Sequence, residues 1–153
     1  MNDGARVNVQ INIRPIRPQD ADAVAELVSQ LGYQRTPEQV RRWVLDLGSL
    51  PAQACFVAEL NSEVVAWIDV SLERRLQSDV FGLIGGLVVR DGLRSLGIGR
   101  RLCQEAEDWT RQQGVKKMRV TSRSTREDAH RFYLRDGYRQ IKVSMYFEKM
   151  LDA

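Results

Sequence analysis

The sequence has few of the residues that build metal centres and disulfide frameworks. Its 153 residues include two cysteines, Cys55 and Cys103, without a CxxC spacing, and one histidine, His130. This cysteine usage predicts neither a disulfide nor a zinc site, and it fits a reducing, cytoplasmic setting. One histidine gives no basis for a Ser/His/Asp triad or a histidine-rich metal cluster. We therefore expect no metal cofactor.

Long apolar runs are also missing. The longest nearly apolar run, residues 81–89, is far too short to span a bilayer. The first ten residues, MNDGARVNVQ, are polar where a secretory signal would have an apolar segment. No linker rich in proline, glycine or serine divides the chain. These absences predict one cytoplasmic domain over residues 1–153, with no membrane partner and with residues 1–10 as a flexible end.

The charge, in contrast, is abundant and unevenly placed. Residues 1–89 hold 8 Lys and Arg against 11 Asp and Glu, a balance of −3, whereas residues 90–153 hold 15 against 9, a balance of +6. A basic second half could bind nucleic acid or a polyphosphate cofactor, or could be a solvated basic face. The absence of a known nucleic-acid-binding motif makes nucleic acid the weakest of these readings.

Hydrophobic periodicity predicts alternating strands and helices. Helices are predicted at 20–31, from Thr36 to about 47, at 98–113 and at 127–135, and Thr36 begins the second with Pro37 and a capping box to Gln39. Strands are predicted at 11–16, 54–60, 64–72, 81–89 and 116–122, followed by a final strand or pair of strands at 138–149. This order predicts an α/β sheet with helices on both faces.

The stretch RSLGIG, residues 94–99, has the composition of an anion-binding turn. It fits the pattern [RQ]xxGx[GA] and lies between an apolar strand and an amphipathic helix. Its glycines let backbone approach a ligand, and the first amides of the helix lack intrahelical partners. Leu102 stands where GxGxxG needs a third glycine, and no GK[ST] follows, so neither a dinucleotide fingerprint nor a P-loop is present. A diphosphate site and a plain strand–helix turn with solvated arginines both remain consistent with the pattern.

Two motifs in the right order resemble the GNAT superfamily, the N-acetyltransferases that use acetyl-coenzyme A. LVVRDGLRSLGIGRRL is similar to its central strand and pyrophosphate loop, and REDAHRFYLRDGYRQ carries its AxxFYxxxGY signature. The element order over residues 11–150 matches as well. The resemblance implies a mixed, mostly antiparallel central sheet flanked by helices. It also implies direct acetyl transfer from acetyl-CoA to a primary amine of a small molecule or protein.

The resemblance also implies roles for individual residues. The diphosphate would lie on the amides of residues 96–101 with Arg94 at the loop entrance, and the strand before the loop would pair with the pantetheine arm. The implied cofactor-binding set is Leu87, Val88, Val89, Arg94, Ser95, Leu96, Gly97, Ile98, Gly99, Arg100 and Arg101. A backbone amide near Val88 would stabilise the thioester oxygen, and Tyr133 would protonate the departing thiolate. From its own sequence context, Tyr133 could equally be a packing residue beside Phe132.

The general base departs from the family pattern. Many members carry a glutamate on the central strand, but FGLIGGLVV has no carboxylate. Asp69, Glu73 and Asp79 are the nearby candidates, and a water relay would also suffice. We place Glu73 on the substrate side as the candidate base.

Three functions therefore compete. The first is an acetyltransferase, whose acceptor could be a polyamine, an aminoglycoside-like amine, an amino acid or a protein N-terminus. The acidic balance of residues 1–89 suits a cationic acceptor. The second is a non-catalytic acyl-CoA-binding or sensing module that lost its base, and the third is a nucleic-acid binder. A homodimer is compatible with each. Cys103, beside Leu102, is expected to be a buried, inert thiol.

Overall fold

A computed structural model describes residues 10–94 and 96–152. The chain divides into two compact units, Met1–Val120 and Thr121–Ala153, and each is described by itself. The prediction of a flexible end at residues 1–10 falls almost entirely outside the described residues. That residues 1–153 form a single domain stays a prediction.

Five strands and four α-helices make up the described chain. The strands are β1 (Ile11–Pro15), β2 (Gln53–Leu60), β3 (Glu63–Arg75), β4 (Ser78–Val89) and β5 (Met118–Val120). The helices are α1 (Ala21–Ser29), α2 (Pro37–Leu47), α3 (Ile98–Gln112) and α4 (Glu127–Arg135), and a 3-10 turn at Pro18–Asp20 precedes α1. All but α4 belong to the first unit.

The strands form one mixed sheet in the order β1-β2-β3-β4-β5. The first three neighbour pairs are antiparallel, whereas β4 and β5 are parallel. β2 and β3 are joined across Asn61 and Ser62, whose positive φ angles of 51° and 68° suit the tight turn predicted there. The α/β class and the mostly antiparallel sheet are confirmed.

The sheet is covered on both faces. Cys55 and Val57 of β2 pack in a core with residues of α1 and α2. Phe56 and Ala58, which alternate with them, are also buried and therefore face the other side. On β4, a side chain at Gly82 would collide with Thr110 of α3, so α3 lies close against the sheet.

Helix α2 begins as its sequence predicts. The Thr36 hydroxyl accepts a hydrogen bond from the Gln39 N–H at 3.1 Å, and the Gln39 side chain accepts from the Thr36 N–H at 3.0 Å. Pro37 occupies the first helical position, where a missing N–H costs nothing. Val40 and Val44 are buried, so the predicted apolar stripe faces the core.

The predicted final strand at 138–149 is wrong for this structure. No strand is assigned to residues 139–152 of the described chain. Ile141, Val143, Met145 and Phe147 alternate as in a strand but are 55%, 73%, 81% and 91% exposed. Alternation specifies which face a strand would bury, but a strand also needs a neighbour to complete its hydrogen bonds. Residues 141–147 show the alternation but have no strand partner within the described chain.

Candidate active site

The loop after β4 ends in an exposed helix N-terminus. Gly97 has φ 77° and is the N-cap of α3, a backbone conformation that strongly favours glycine. Its missing Cβ would meet nothing within 4 Å, so a ligand has room to approach this backbone. The first helical hydrogen bond runs from the Arg101 N–H to the Gly97 carbonyl at 3.1 Å. The first turn of an α-helix generally leaves its amides without intrahelical acceptors, and in α3 this turn begins at Ile98.

The side chains around this loop are basic, and α3 has no acidic residue in its first turn. Arg94 is exposed and forms an ion pair with Asp91 at 3.3 Å. The Arg101 guanidinium instead donates to the Ile11 carbonyl of β1 at 2.9 Å, so it ties the helix to the sheet. Leu96 is exposed and Ile98 is buried, whereas Ser95 lies outside the described residues. The loop therefore offers amides and positive charge together, as a diphosphate requires.

The second half of β4 has one edge without a strand partner in the described part of the first unit. β5 pairs only with Gly82, Leu83 and Ile84, whereas β3 continues along β4 as far as Val89. The Val89 carbonyl accepts a hydrogen bond from the Gln30 side chain at 3.1 Å. Residues 87–89 thus present backbone to a linear ligand immediately before the anion-binding loop. This arrangement fits the predicted pantetheine position.

Asp69 of β3 lies over the paired glycines of β4. A Cβ at Gly85 would stand 3.0 Å from Asp69 Oδ1, and a Cβ at Gly86 would stand 2.5 Å from the Trp67 ring. A bulge interrupts the β3–β4 register between Asp69 and Val70. The two glycines therefore leave the space that the Asp69 carboxylate and the Trp67 indole occupy.

Burial controls the ionisation of Asp69. It raises the pKa of this carboxyl to about 6, and the nearby amides of Gly86 and Gly85 oppose it only in part. Oδ1 is buried and makes no hydrogen bond of ordinary geometry within the described chain, and neither does Trp67 Nε1. Two buried polar atoms without a hydrogen bond of ordinary geometry at one place carry a desolvation cost.

Asp69 and Trp67 are among the residues that line a cavity of about 270 Å³ in the first unit. Its walls are mostly aliphatic side chains of α1 and α2, with the rings of Tyr33, Trp43 and Trp67. Its polar and ionisable lining also includes Arg35, Cys55 and Asp69. Asp69 is at the buried end because it packs against β4, whereas Arg35 is exposed. The cavity thus combines an apolar body with opposite charges.

The other candidates for chemistry have ordinary surroundings. Glu73, four residues further along β3, accepts a hydrogen bond from the Ser71 hydroxyl at 2.9 Å. Asp79 is exposed at the start of β4. Cys103 is fully buried, as predicted for an inert thiol. The His130 ring shares a 2.8 Å hydrogen bond with the Arg123 carbonyl. No group of three or more metal-ligating side chains occurs within residues 10–94 and 96–152.

Tyr133 belongs to α4 in the second unit. Its ring makes edge-to-face contacts with Phe132 and Tyr138, with centroids 5.2 Å and 5.8 Å apart. Tyr133 is half-buried. These contacts hold the ring within its own unit, and the proximity of Tyr133 to the coenzyme sulfur stays a prediction.

Comparison with known proteins defines the class. The model of the acetyltransferase (GNAT) family matches residues 21–138, so the chain belongs to this family. The aminoalkylphosphonate N-acetyltransferase of Salmonella typhimurium is 33% identical over 84% of both chains. The aminoglycoside N(6′)-acetyltransferase type 1 of Stenotrophomonas maltophilia is 24% identical over 92% of this chain and 94% of that protein. The solved structure of aminoglycoside N-acetyltransferase AAC(6′)-Iy in complex with CoA has the same fold, with a TM-score of 0.83 at 14% identity over 94% of this chain and 97% of that one.

The chain is therefore an N-acetyltransferase that uses acetyl-CoA as co-substrate and an amine as acceptor. This outcome confirms the leading function. Of the helices the structure describes, none has the length and apolar character needed to cross a membrane.

Sequence reasoning named Asp69 among three carboxylates but preferred Glu73. The signal that singles out Asp69 is the glycine pair opposite it.

Proposed function

We propose that this enzyme acetylates the primary amine of a small aminoalkyl acid, a molecule with an ammonium group and an anionic group such as a phosphonate or carboxylate. The charge arrangement in the cavity carries the proposal. Asp69 at the buried end suits the ammonium, and Arg35 at the exposed end suits the anion. Arg35 makes no ion pair within the described chain, so its charge is available.

The size of the cavity favours the same class of acceptor. A volume of about 270 Å³ is at the small end for ligand sites and suits a molecule of a few heavy atoms. A polycationic aminoglycoside of several rings needs more room and more carboxylates. The relative that acts on aminoalkylphosphonates is also the more similar of the two sequence relatives.

The chain's residues divide the work between two surfaces. The amides at residues 96–101, with Arg94 and Arg100, would hold the diphosphate of acetyl-CoA, which supplies the acetyl group as a thioester. The β4 backbone at residues 87–89 would align the pantetheine arm and present an N–H near Val88 to the thioester oxygen. The Tyr133 hydroxyl would deliver a proton to the leaving sulfur. Ser95 stays in the proposed set on sequence grounds alone.

The acceptor class is tested by kinetics on matched amines. We expect an aminoalkylphosphonate or an amino acid to have a kcat/KM well above that of an alkylamine of equal length that carries no anionic group. The kcat/KM should also be well above that of an aminoglycoside. Arg35→Gln should lower kcat/KM for the anionic acceptors about tenfold, about 1.4 kcal/mol, and leave the alkylamine unaffected. Arg42→Gln, an exposed arginine of α2 that does not line the cavity, is the matched control.

A preference for aminoglycosides over zwitterions would contradict the proposed acceptor class. An equal effect of Arg35→Gln on neutral and anionic amines would remove Arg35 from acceptor recognition. The amine product should be measured beside coenzyme A release, so that thioester hydrolysis is not counted as transfer.

We also propose that the enzyme is a cytoplasmic homodimer. The buried, reduced thiols of Cys55 and Cys103 and the use of acetyl-CoA support a cytoplasmic location.

The exposed apolar side chains that alternate along residues 141–147 support a second copy of the chain as their cover, because a face this apolar is rarely left in water. Light scattering should give twice the mass of one chain, and Phe147→Glu should shift that mass toward the monomer. A wild-type monomer at micromolar concentration would contradict the dimer.

A further inference from the structure

The cavity contains a buried carboxylate where the family's glutamate is missing. In this chain the central strand carries Gly85 and Gly86, and the neighbouring strand places Asp69 over them. The backbone that pairs with the pantetheine arm begins at the next residue, Leu87. Asp69 therefore lies beside the expected position of the reacting thioester, within the same unit and on adjacent strands.

We propose that Asp69 is the general base of acetyl transfer, supplied to the reaction from β3 through the space that Gly85 and Gly86 leave open. This inference rests on the proposed function, because the base acts on the acceptor's ammonium. The Asp69 carboxylate, which lines the cavity, is the group that receives the proton. Glu73, already hydrogen-bonded to Ser71 and about 13 Å further along the strand, has no comparable opening.

The proton balance of the step is complete without a further reactant. The ammonium gives one proton to the Asp69 carboxylate, and the freed lone pair forms a C–N bond with the acetyl carbon. The C–S bond breaks. The nitrogen loses a second proton, and the departing sulfur takes up one proton to become a thiol. Asp69 then loses its proton to solvent through the cavity mouth. One ammonium and one acetyl thioester thus give an amide, a thiol and one proton.

The surroundings of Asp69 suit a base that works near neutral pH. Cys55 faces it from β2, and burial followed by the charge of Asp69 raises the pKa of that thiol, which stays neutral. The loop after α1 contributes Tyr33 and Arg35, and β4 contributes only the amides of Gly85 and Gly86. The cavity walls supplied by α1 and α2 are apolar or aromatic. A carboxyl with a pKa of about 6 is ionised at pH 7 yet basic enough to accept a proton.

The test compares Asp69→Asn with Glu73→Gln in the full-length enzyme. We expect Asp69→Asn to lower kcat about 10²- to 10³-fold while the Kd for acetyl-CoA stays the same. The acid limb of the kcat/KM profile near pH 6 should disappear in this variant, which a structural role alone would not cause. The deficit should also shrink for acceptors whose amine has a lower pKa, because these are already neutral.

Two results would overturn the assignment. One is a folded Asp69→Asn enzyme that keeps the wild-type kcat and pH profile. The other is the expected loss in Glu73→Gln but not in Asp69→Asn. Both variants should also be assayed with an alkylamine that carries no anionic group. This assay separates the assignment of the base from the proposed acceptor class, because the base is needed whatever the acceptor's second group. If Asp69→Asn fails on every amine while anionic acceptors show no preference, the base stands and the proposed acceptor class fails.

Discussion

We expect coenzyme binding to depend most on Gly97. Its positive φ and open side would allow a diphosphate to touch the backbone before α3. We expect Gly97→Val to weaken acetyl-CoA binding at least tenfold, about 1.4 kcal/mol, in calorimetry. Gly114→Val is the matched control, because Gly114 has the same φ of 77° and equal space at the other end of α3. Similar affinities in the two variants would show that strain, not contact with the ligand, explains the loss.

Tyr133 tests the chemistry of the leaving group. Tyr133→Phe keeps the ring and its contacts with Phe132 and Tyr138 but removes the hydroxyl. If that hydroxyl protonates the thiolate, kcat should fall roughly 10²- to 10⁴-fold with little change in the Kd for acetyl-CoA. A folded variant with wild-type kcat, where chemistry limits the rate, would end the assignment. Acetyl transfer itself would survive that result because a thiolate leaves readily unaided.

Asp69 should also affect stability, in the opposite direction to activity. Its pKa is raised from 3.8 in the unfolded chain to about 6 in the fold, so the native state binds more protons between these values. Stability from this group is complete below about pH 4 and is lost as the pH rises through about 6. We expect Asp69→Asn to be more stable than the wild type by up to about 3 kcal/mol at about pH 7, and by much less at about pH 4. Urea unfolding at the two pH values measures the difference, and a variant less stable at both would contradict the burial argument.

Among the elements, β3 and β4 build the site together. Trp67 and Asp69 fill the space left by Gly86 and Gly85, so side chains on one strand depend on glycines of the next. We expect Gly86→Ala to cost about 1–3 kcal/mol, since its Cβ would stand 2.5 Å from the Trp67 ring. The displaced ring should also raise the KM for the acceptor. Gly48→Ala is the control, because its Cβ would make an ordinary 3.6 Å contact. Equal stability of the two variants would contradict the close packing of these strands.

The sequence predicted most elements because local signals and tertiary packing agree. The Thr36–Gln39 capping box, the Asn61–Ser62 turn and the stripe of α3 each act within a few residues. The strand predicted at 138–149 failed because its alternation describes a face and not a partner. Asp69 could not be preferred over Glu73 from sequence, since their difference depends on the β3–β4 register and on which glycines lie opposite.

For the whole molecule, the acidic first half and the basic second half match the two ligands that we propose. The basic second half begins with the loop that would hold the diphosphate, and Arg94 lies at that loop. The acidic first half includes Asp69, which lines the cavity proposed for the acceptor. Bulk charge favoured a cationic acceptor, whereas the cavity is lined by one carboxylate and one arginine. A local pair of opposite charges is a better guide to a small ligand than the sum over half a chain.

As a whole, this chain moves an acetyl group from acetyl-CoA to an amine nitrogen. The most direct measurement is mass spectrometry of the acceptor after incubation with enzyme and acetyl-CoA labelled with carbon-13 in the acetyl group. We expect an aminoalkyl acid heavier by one labelled acetyl group, attached at nitrogen, in amounts equal to the coenzyme A released. Coenzyme A release with labelled acetate as the product, or label retained on the protein, would contradict this expectation.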